Sequence, residues 1–254
     1  MASKVIIVTG ASRGIGLAVA KYLIDASHKV LLVSRTDSQM AALKKQYPSQ
    51  VEYMTADLSN LETAPKVTEL AVKAFGRLDG LVINHGVLSP MTTIADANLA
   101  DWQQIYAANL FSAVALSKAA IPLLRQTKGR IIFTSSGAAL HAYQSWGAYG
   151  SSKAAMNSLA QHLGAEEKDI VTVAIGPGRC DTDMQVEVRD AGKSAMATDA
   201  HQDFVKAFEA GKLNKPEWPG HVIAQLALTA SPDLSGKYFS WNAPEMAAYR
   251  SDSK

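Results

Sequence analysis

The sequence predicts a doubly wound α/β protein, in which one parallel sheet is covered by helices on both faces. Short apolar runs rich in β-branched residues alternate with longer amphipathic stretches, as expected for strands that are buried on both sides. The connections between these segments are short, and no internal repeat or linker divides the 254 residues. Hydrophobic residues make up 48% of the chain, which is enough for a large core. We therefore expect a single domain over residues 1–254.

The alternation predicts seven strands and six helices. The strands are Lys4–Thr9, Lys29–Ser34, Val51–Ala56, Gly80–Ile83, Arg130–Thr134, Val171–Ile175 and Lys237–Trp241. The helices lie near residues 14–26, 37–47, 61–75, 99–126, 147–167 and 216–230. Such a seven-stranded parallel sheet is Rossmann-like, and folds of this kind bind ligands beyond the carboxyl ends of their strands.

One irregular stretch interrupts the pattern, from Arg179 to Lys215. It follows the sixth predicted strand and carries two weaker helical patterns, Met184–Ala191 and Asp199–Ala210. Because it leaves the sheet at the edge where ligands bind, we interpret residues 179–215 as a substrate-binding lid within the domain. The alternative is an ordinary surface excursion.

Composition argues against several classes of protein. The formal net charge is +2 and the basic residues are scattered, so we expect no nucleic-acid partner. No apolar run reaches the ~18 residues of a membrane span, and Val5–Val8 is too short for a signal-peptide core. The single cysteine, Cys180, fits a reducing compartment and is interpreted as a loop filler. The histidines lack metal-ligand spacing. We therefore expect a cytoplasmic protein with no metal site.

A glycine-rich turn follows the first predicted strand and opens the first predicted helix. It reads Gly10-Ala11-Ser12-Arg13-Gly14-Ile15-Gly16. Glycine lets a backbone approach a pyrophosphate closely, and the N-terminus of a helix offers unpaired N–H groups with a partial positive charge. The spacing differs from the standard G-x-G-x-x-G, but the strand–turn–helix context is the one that a dinucleotide site requires. A plain tight turn is the alternative.

The end of the second predicted strand indicates which dinucleotide binds. Enzymes that use NAD usually place a carboxylate about 20 residues after the glycines, where it contacts the ribose 2′-hydroxyl. Here the sequence reads Ser34-Arg35-Thr36, and a guanidinium pairs with the 2′-phosphate of NADP. Arg13 can supply a second charge, and we expect Asp37 to cap the next helix. We therefore predict NADP(H) as the cofactor. The alternative is that Arg13 and Arg35 are ordinary surface residues with no role in cofactor binding.

Tyr149 and Lys153 are four residues apart on a predicted helix, so both project from one face. Such a pair arises readily by chance, but here it accompanies a predicted dinucleotide turn. An ammonium ~5 Å from the phenol favours the phenolate by roughly 3 kcal/mol at a dielectric near 20, which lowers the tyrosine pKa by about two units. Ser136, at the end of the fifth strand, can polarise a carbonyl. Together with the glycine turn, these three residues predict an enzyme that transfers a hydride and uses the tyrosine as proton donor.

Several motifs agree with one known family. They are the glycine turn with Thr9, Asp57-Leu58 after the third strand, Asn84-His85-Gly86 after the fourth, Asn109 in a helix, then Ser136, Tyr149 and Lys153, and finally Pro177-Gly178 with Thr182. In this combination the chain resembles the short-chain dehydrogenase/reductase family over nearly its whole length. The resemblance implies an NADP-dependent oxidoreductase that acts on a CH–OH or carbonyl group of a small molecule.

The resemblance also implies a role for each site residue. Tyr149 would protonate the reduced carbonyl oxygen, and Ser136 would orient the carbonyl. Lys153 would hold the nicotinamide ribose and lower the tyrosine pKa, and Asn109 would anchor a water that relays protons to the lysine. The implied cofactor-binding residues are Gly10, Ser12, Arg13, Gly14, Ile15, Gly16, Ser34, Arg35, Asp57, Leu58, Asn84, Gly86, Tyr149, Lys153, Pro177, Gly178 and Thr182.

His85 departs from the family, which usually has alanine at this position. An imidazole beside the cofactor can tune cofactor binding or the proton path. We interpret His85 instead as a tolerated side chain that fills space.

The C-terminal half resembles a narrower branch, that of the sepiapterin reductases and fungal benzil reductases. The likeness lies in Ser135-Ser136-Gly137-Ala138, Trp146-Gly147-Ala148-Tyr149, Asp181-Thr182-Asp183-Met184-Gln185 and Ser235-Gly236-Lys237-Tyr238. Sepiapterin reductases anchor the pterin with an aspartate where this chain has Ser240, so a benzil-reductase-like activity on an aromatic or vicinal dicarbonyl is favoured. The side chains that can line a flat aromatic pocket, or equally pack in the core, are His141, Tyr143, Trp146, Met184 and Trp241.

Two other functions stay open at this point. The same fold serves as a non-catalytic NADP-binding regulator or redox sensor, although such relatives commonly lose the tyrosine or the lysine. An alcohol dehydrogenase that works in the oxidative direction would use the same residues. The resemblance further implies a homodimer or homotetramer, packed through the helices near 99–126 and 147–167.

Overall fold

A computed structural model describes residues 2–250, so residues 1 and 251–254 of the predicted domain lie outside the described part. Seven strands form one sheet in the order β3-β2-β1-β4-β5-β6-β7, and each neighbouring pair is parallel. The strands are β1 Val5–Thr9, β2 Lys29–Ser34, β3 Val51–Thr55, β4 Gly80–Ile83, β5 Arg130–Thr134, β6 Val171–Gly176 and β7 Lys237–Ser240. The predicted fold class is confirmed, and each strand boundary agrees with the sequence-based prediction to within one residue.

Ten α-helices lie in the described part of the chain. They are α1 Gly14–Asp25, α2 Ser38–Gln46, α3 Thr63–Phe75, α4 Leu99–Tyr106, α5 Ser112–Thr127, α6 Gly147–Glu166, α7 Asp183–Asp190, α8 Gly192–Ala195, α9 Thr198–Glu209 and α10 Glu217–Thr229. The helix predicted near 99–126 is divided into α4 and α5 by a π-helical turn, Ala107–Phe111. Helical periodicity did not reveal this turn, since one inserted residue leaves the apolar pattern nearly unchanged.

The core lies on both faces of the sheet because successive strand residues point to opposite sides. Ile6 and Val8 of β1 pack against α1 and α10, where they meet Val19 and Val222. Ile7 points the other way, into the layer formed by α3, α5 and α6. Fully burying each such side chain stabilises the fold by about 1.5–3 kcal/mol. Both layers hold β1 and β4 rigidly, and these two strands carry the site at their carboxyl ends.

The strand order reverses direction between β1 and β4. The chain first builds outward from β1 to β3 and then returns to place β4 on the other side of β1. At such a switch point the connecting loops run in opposite directions and leave a crevice beyond the strand ends. The fold therefore predicts a ligand site between Thr9, at the end of β1, and Asn84, directly after β4.

The helical stretch Leu99–Thr127 is 29 residues long and apolar enough, by length and composition, to cross a membrane. A core helix of a globular protein passes the same test, so a single helix of this kind is weak evidence for a membrane span. Here Leu116, Ala120 and Leu124 are buried in the layer beneath the sheet, whereas Leu99 and Val114 are exposed. The stretch therefore has one face in the core, and its outer surface carries both apolar and polar side chains.

The segment between β6 and α10 folds into α7, α8 and α9, and the first and last agree with its two weak helical patterns. Val188, Met196 and Phe204 of this segment form a third buried cluster with Trp146 and Tyr149. Residues 179–215 therefore pack against the start of α6, the helix that carries the predicted catalytic pair.

Candidate active site

The glycine turn lies between the ends of β1 and β4 and requires glycine at two positions for different reasons. Gly10 has a φ of +64°, a left-handed conformation that L side chains rarely adopt, and a Cβ at Gly16 would stand 2.2 Å from the Gly10 carbonyl oxygen. Within the described helix α1 the first turn contains no acidic residue, and Arg13 at its N-cap makes no side-chain capping bond. The N–H groups and the partial positive charge of this helix end therefore fit a pyrophosphate.

The end of the cleft beside the glycine turn carries Arg35, which has no ion-pair partner among residues 2–250. The hydroxyl groups of Ser12 and Ser34 lie 2.9 Å apart and join the glycine turn to the end of β2. Asp37 occupies the N-cap of α2 as predicted, but its side chain makes no capping hydrogen bond. This arrangement places a guanidinium where an NAD site would usually have a carboxylate.

Asp57 and Asn84 follow β3 and β4 and complete the wall of the cleft. The carboxylate of Asp57 accepts hydrogen bonds from the backbone and the side chain of Ser59, and these bonds lower its pKa. The side-chain amide of Asn84 donates to the carbonyl oxygens of Thr9 and Gly10, at 3.2 and 3.3 Å. Asn84 thereby ties the end of β4 to the glycine turn.

Two of the predicted catalytic residues, Tyr149 and Lys153, meet at the inner end of the same cleft. Tyr149 and Lys153 are both buried, and Lys153 Nζ lies 5.9 Å from the centre of the Tyr149 ring. The amine donates a hydrogen bond to the carbonyl oxygen of Thr134, at 2.7 Å. An ideal Cβ at Gly86 would lie only 3.4 Å from Lys153 Nζ, so the loop after β4 passes directly beside the amine.

Burial governs the protonation of this pair. It raises the pKa of Tyr149, and a hydrogen bond with Ser136 acts in the opposite direction. It also lowers the pKa of Lys153 to about 8. The sequence led us to expect a lowered tyrosine pKa, whereas among the described residues the desolvation of both groups is the larger effect.

Asn109 lies in the π-helical turn and is fully buried. Its side-chain oxygen accepts from the backbone N–H of Val87, at 2.8 Å, and its amide donates to the Val87 carbonyl, at 2.9 Å. The same amide donates to the hydroxyl of Ser152, next to Lys153. Asn109 therefore fixes the loop after β4 to α6. Val87 and Ser152 are two contributors that sequence reasoning missed because no local motif marks them.

His85 connects two elements through its ring nitrogens. Nδ1 lies 2.8 Å from the Thr9 hydroxyl, and Nε2 lies 2.8 Å from the Ser112 hydroxyl at the start of α5. Burial, reinforced by the charge of Lys153, lowers the pKa of His85 to about 3, so the ring is neutral near pH 7. The side chain therefore does more than fill space.

The segment after β6 lines one side of the cleft. Gly178 has a φ of +71°, and the amide of Asn214 donates to the carbonyl oxygen of Pro177 at 3.1 Å. The methyl group of Thr182 stands 3.1 Å from an ideal Cβ at Gly14, so this segment rests on the glycine turn. Asn214 is another contributor that the sequence did not reveal, since it lies far along the chain.

One cleft of about 650 Å³ brings most of the predicted residues together. Its lining includes Gly10, Ser12, Arg13, Gly14, Ile15, Ser34, Arg35, Asp57, Leu58, Asn84, Gly86, Tyr149, Lys153, Pro177 and Thr182. Gly16, Asn109, Ser136 and Gly178 lie outside the lining. Gly16 and Asn109 support the cleft from behind, through the contacts described above.

The residues suggested for an aromatic pocket do not form one group. Met184 lines the main cleft, whereas His141, Tyr143 and Trp146 border a second cavity of about 550 Å³ beside α6. Trp241 stacks on another tryptophan instead, with ring centres 6.0 Å apart. Trp146 also meets Tyr149 edge to face, with ring centres 5.9 Å apart, so the two cavities are separated at this point by the Tyr149 ring.

Replacing His85 with alanine tests its neutral, hydrogen-bonded state. The folded pKa is about 3 and the ordinary value is 6.5, so between these values the unfolded chain binds a proton that the folded protein does not. Stability must therefore fall as the pH falls through this window, by up to about 1.4 kcal/mol per pH unit. We expect the free energy of unfolding of His85→Ala to fall less steeply than that of the wild type between about pH 7 and about pH 5. Urea unfolding followed by circular dichroism measures this free energy at each pH.

The matched control is His141→Ala, which removes an exposed imidazole. It should retain the wild-type slope of the free energy of unfolding against pH. Equal slopes for wild type and His85→Ala would show that His85 titrates alike in both states.

Comparison with known proteins agrees with this geometry. The model of the short chain dehydrogenase family matches residues 4–193. An uncharacterised oxidoreductase of Schizosaccharomyces pombe is 42% identical over 244 residues, which cover 95% of this chain and 98% of that protein. A benzil reductase ((S)-benzoin forming) of Saccharomyces cerevisiae is 35% identical over 252 residues, covering 94% and 96%. The crystal structure of a short chain dehydrogenase/reductase from S. cerevisiae has a TM-score of 0.95 at 37% identity, covering 98% of this chain and 100% of the other. The chain is therefore an oxidoreductase that belongs to the short-chain dehydrogenase family.

Proposed function

We propose that this protein is an NADPH-dependent carbonyl reductase that transfers a hydride to a ketone, with Tyr149 as the proton donor. The observation that carries the proposal is the single cleft that joins the glycine turn and Arg35 at one end to Tyr149 and Lys153 at the other. A dinucleotide laid across the turn would have its phosphates at the N-terminus of α1 and its nicotinamide beside the buried pair.

The residues divide the chemistry among them. When bound, the nicotinamide supplies the hydride. Burial keeps the phenol of Tyr149 protonated, so it can donate a proton to the developing alkoxide, and the hydroxyl of Ser136 can polarise the carbonyl. Lys153 carries its charge below about pH 8, and this charge stabilises the phenolate that remains after proton transfer.

The proposed substrate is an aromatic or vicinal dicarbonyl. The benzil reductase relative supports this class, and so does Trp146, which borders the second cavity and meets the ring of Tyr149 edge to face. Residues 179–215 would act as the substrate-binding lid, because Val188 and Phe204 pack against Trp146 and Tyr149. We further propose a cytoplasmic location, to which the buried, unpaired Cys180 is suited.

Benzil reduction, followed as NADPH oxidation at about 340 nm, tests the activity. We expect Tyr149→Phe to lower kcat by at least about 100-fold, since general acid catalysis by a positioned group is worth that much. NADPH affinity should change by less than about threefold. The matched control is Tyr106→Phe, which removes a hydroxyl bonded to Ser151 and should keep most of the activity.

Equal inactivity of wild type and Tyr149→Phe across a broad ketone panel would contradict the proposal and favour a non-catalytic NADP-binding role. Oxidation of alcohols with NADP without reduction of any ketone in the panel would favour a dehydrogenase that works in the oxidative direction.

Arg35→Asp tests the choice of cofactor. An aspartate at this place repels a 2′-phosphate and accepts hydrogen bonds from a 2′-hydroxyl, so NADPH binding should weaken by more than about tenfold while NADH binding improves. Fluorescence titration of each nucleotide measures both changes. Lys45→Asp makes the same charge change at an exposed position of α2 and should leave the preference unaltered. An unchanged preference in Arg35→Asp would place the phosphate site elsewhere.

We also propose that the chain forms a homodimer or homotetramer through the helices near 99–126 and 147–167. The first of these exposes several large apolar side chains, with Leu99 74%, Phe111 48% and Val114 42% exposed. Phe111 and Val114 are three residues apart and so lie on one helix face. Neighbouring exposed apolar side chains on a soluble domain indicate an interaction surface.

Val114→Asp tests this surface by light scattering. The wild type should have two or four times the chain mass of 27.1 kDa, and the variant should have a smaller assembly. Val186→Asp is the control, since Val186 is 44% exposed but lies on α7. A wild type that is monomeric at micromolar concentration would contradict the proposal.

A further inference from the structure

An ion pair joins the glycine turn to the proposed lid. Arg13 Nη1 lies 2.6 Å from Asp183 Oδ2. Arg13 is the N-cap of α1, and Asp183 is the first residue of α7. Both residues line the mouth of the main cleft. This contact spans the two sides of the opening through which a dinucleotide would enter.

A second contact lies beside this pair. Thr182 rests on Gly14 of the turn, with its methyl group 3.1 Å from an ideal Cβ there. The start of the lid is therefore held against the turn at two adjacent points. One is a van der Waals contact, and the other depends on charge.

The charges around the opening set up a competition. Arg13 and Arg35 are the two cations predicted to take the 2′-phosphate, and Arg35 has no ion-pair partner within the described chain. Arg13 is already paired with a carboxylate. A phosphate that approaches Arg13 meets both a guanidinium engaged at short range and the like charge of Asp183.

We propose that Asp183 competes with the 2′-phosphate of NADPH for Arg13, so that phosphate binding releases the first helix of the lid from the glycine turn. The inference rests on the proposed NADPH-dependent function. It assigns to Asp183 a role in cofactor discrimination that no motif indicates. NADH lacks the phosphate and so leaves the ion pair intact.

Direct binding measurements without substrate test the competition. Asp183→Asn keeps the shape of the side chain and removes its charge. An exposed ion pair of this kind corresponds to at most about a fivefold change in an equilibrium constant. We therefore expect the Kd for NADPH to fall about two- to fivefold in Asp183→Asn, with no change for NADH.

Two further variants isolate the cause. Glu187→Gln removes another carboxylate of α7 that lines the cleft, and it should give no gain specific to NADPH. In Arg13→Gln the Kd for NADPH should rise, and adding Asp183→Asn to that variant should give a smaller gain than it gives in the wild type, since only the direct repulsion of the phosphate is then removed. Asp183→Asn should also be cleaved faster by trypsin within residues 179–215 in the absence of nucleotide.

Three results would overturn the inference. They are an unchanged Kd for NADPH in Asp183→Asn, an equal gain for NADPH and NADH, and an undiminished gain in the Arg13→Gln background. A wild type that binds NADPH no more tightly than NADH would contradict the proposed cofactor first, and the Arg35→Asp measurement identifies that failure separately.

Discussion

The close approach of the glycine turn to the end of β4 is the constraint on which the rest of the cleft depends. A Cβ at Gly16 would overlap the carbonyl oxygen of Gly10, and the amide of Asn84 bridges the narrow gap between β4 and the turn. Because β1 and β4 are neighbours at the switch point of the sheet, this contact forms the floor of the cleft. Any side chain larger than hydrogen at Gly16 would separate the two strand ends.

A hydrogen-bond network extends from that floor to Lys153 at the inner end of the cleft. The hydroxyl of Thr134 donates to the side-chain oxygen of Asn84, and the carbonyl of Thr134 accepts from Lys153 Nζ. One residue at the end of β5 therefore contacts both the residue that holds the glycine turn and the amine of Lys153. The distance between the two ends of the site is set by rigid strand ends, and loops contribute little to it.

Burial also determines the charges at the inner end of the cleft. It favours a protonated Tyr149, an amine at Lys153 that titrates near pH 8, and a neutral His85. A neutral imidazole adds no second positive charge beside the amine, and both of its nitrogens are engaged by hydroxyl groups. The histidine that replaces the usual alanine is therefore accommodated as a polar connection within the interior.

The sequence by itself determined the order of the strands and helices, because strands buried on both faces and amphipathic helices leave distinct patterns along a chain. It also determined that Tyr149 and Lys153 share one helix face, since helical spacing requires it. Only the tertiary structure decided the contacts between distant segments, such as His85 with Ser112 and the ion pair between Arg13 of the glycine turn and Asp183 of α7. It likewise decided the direction of each pKa shift. Desolvation depends on everything that surrounds a side chain, and no local pattern encodes those surroundings.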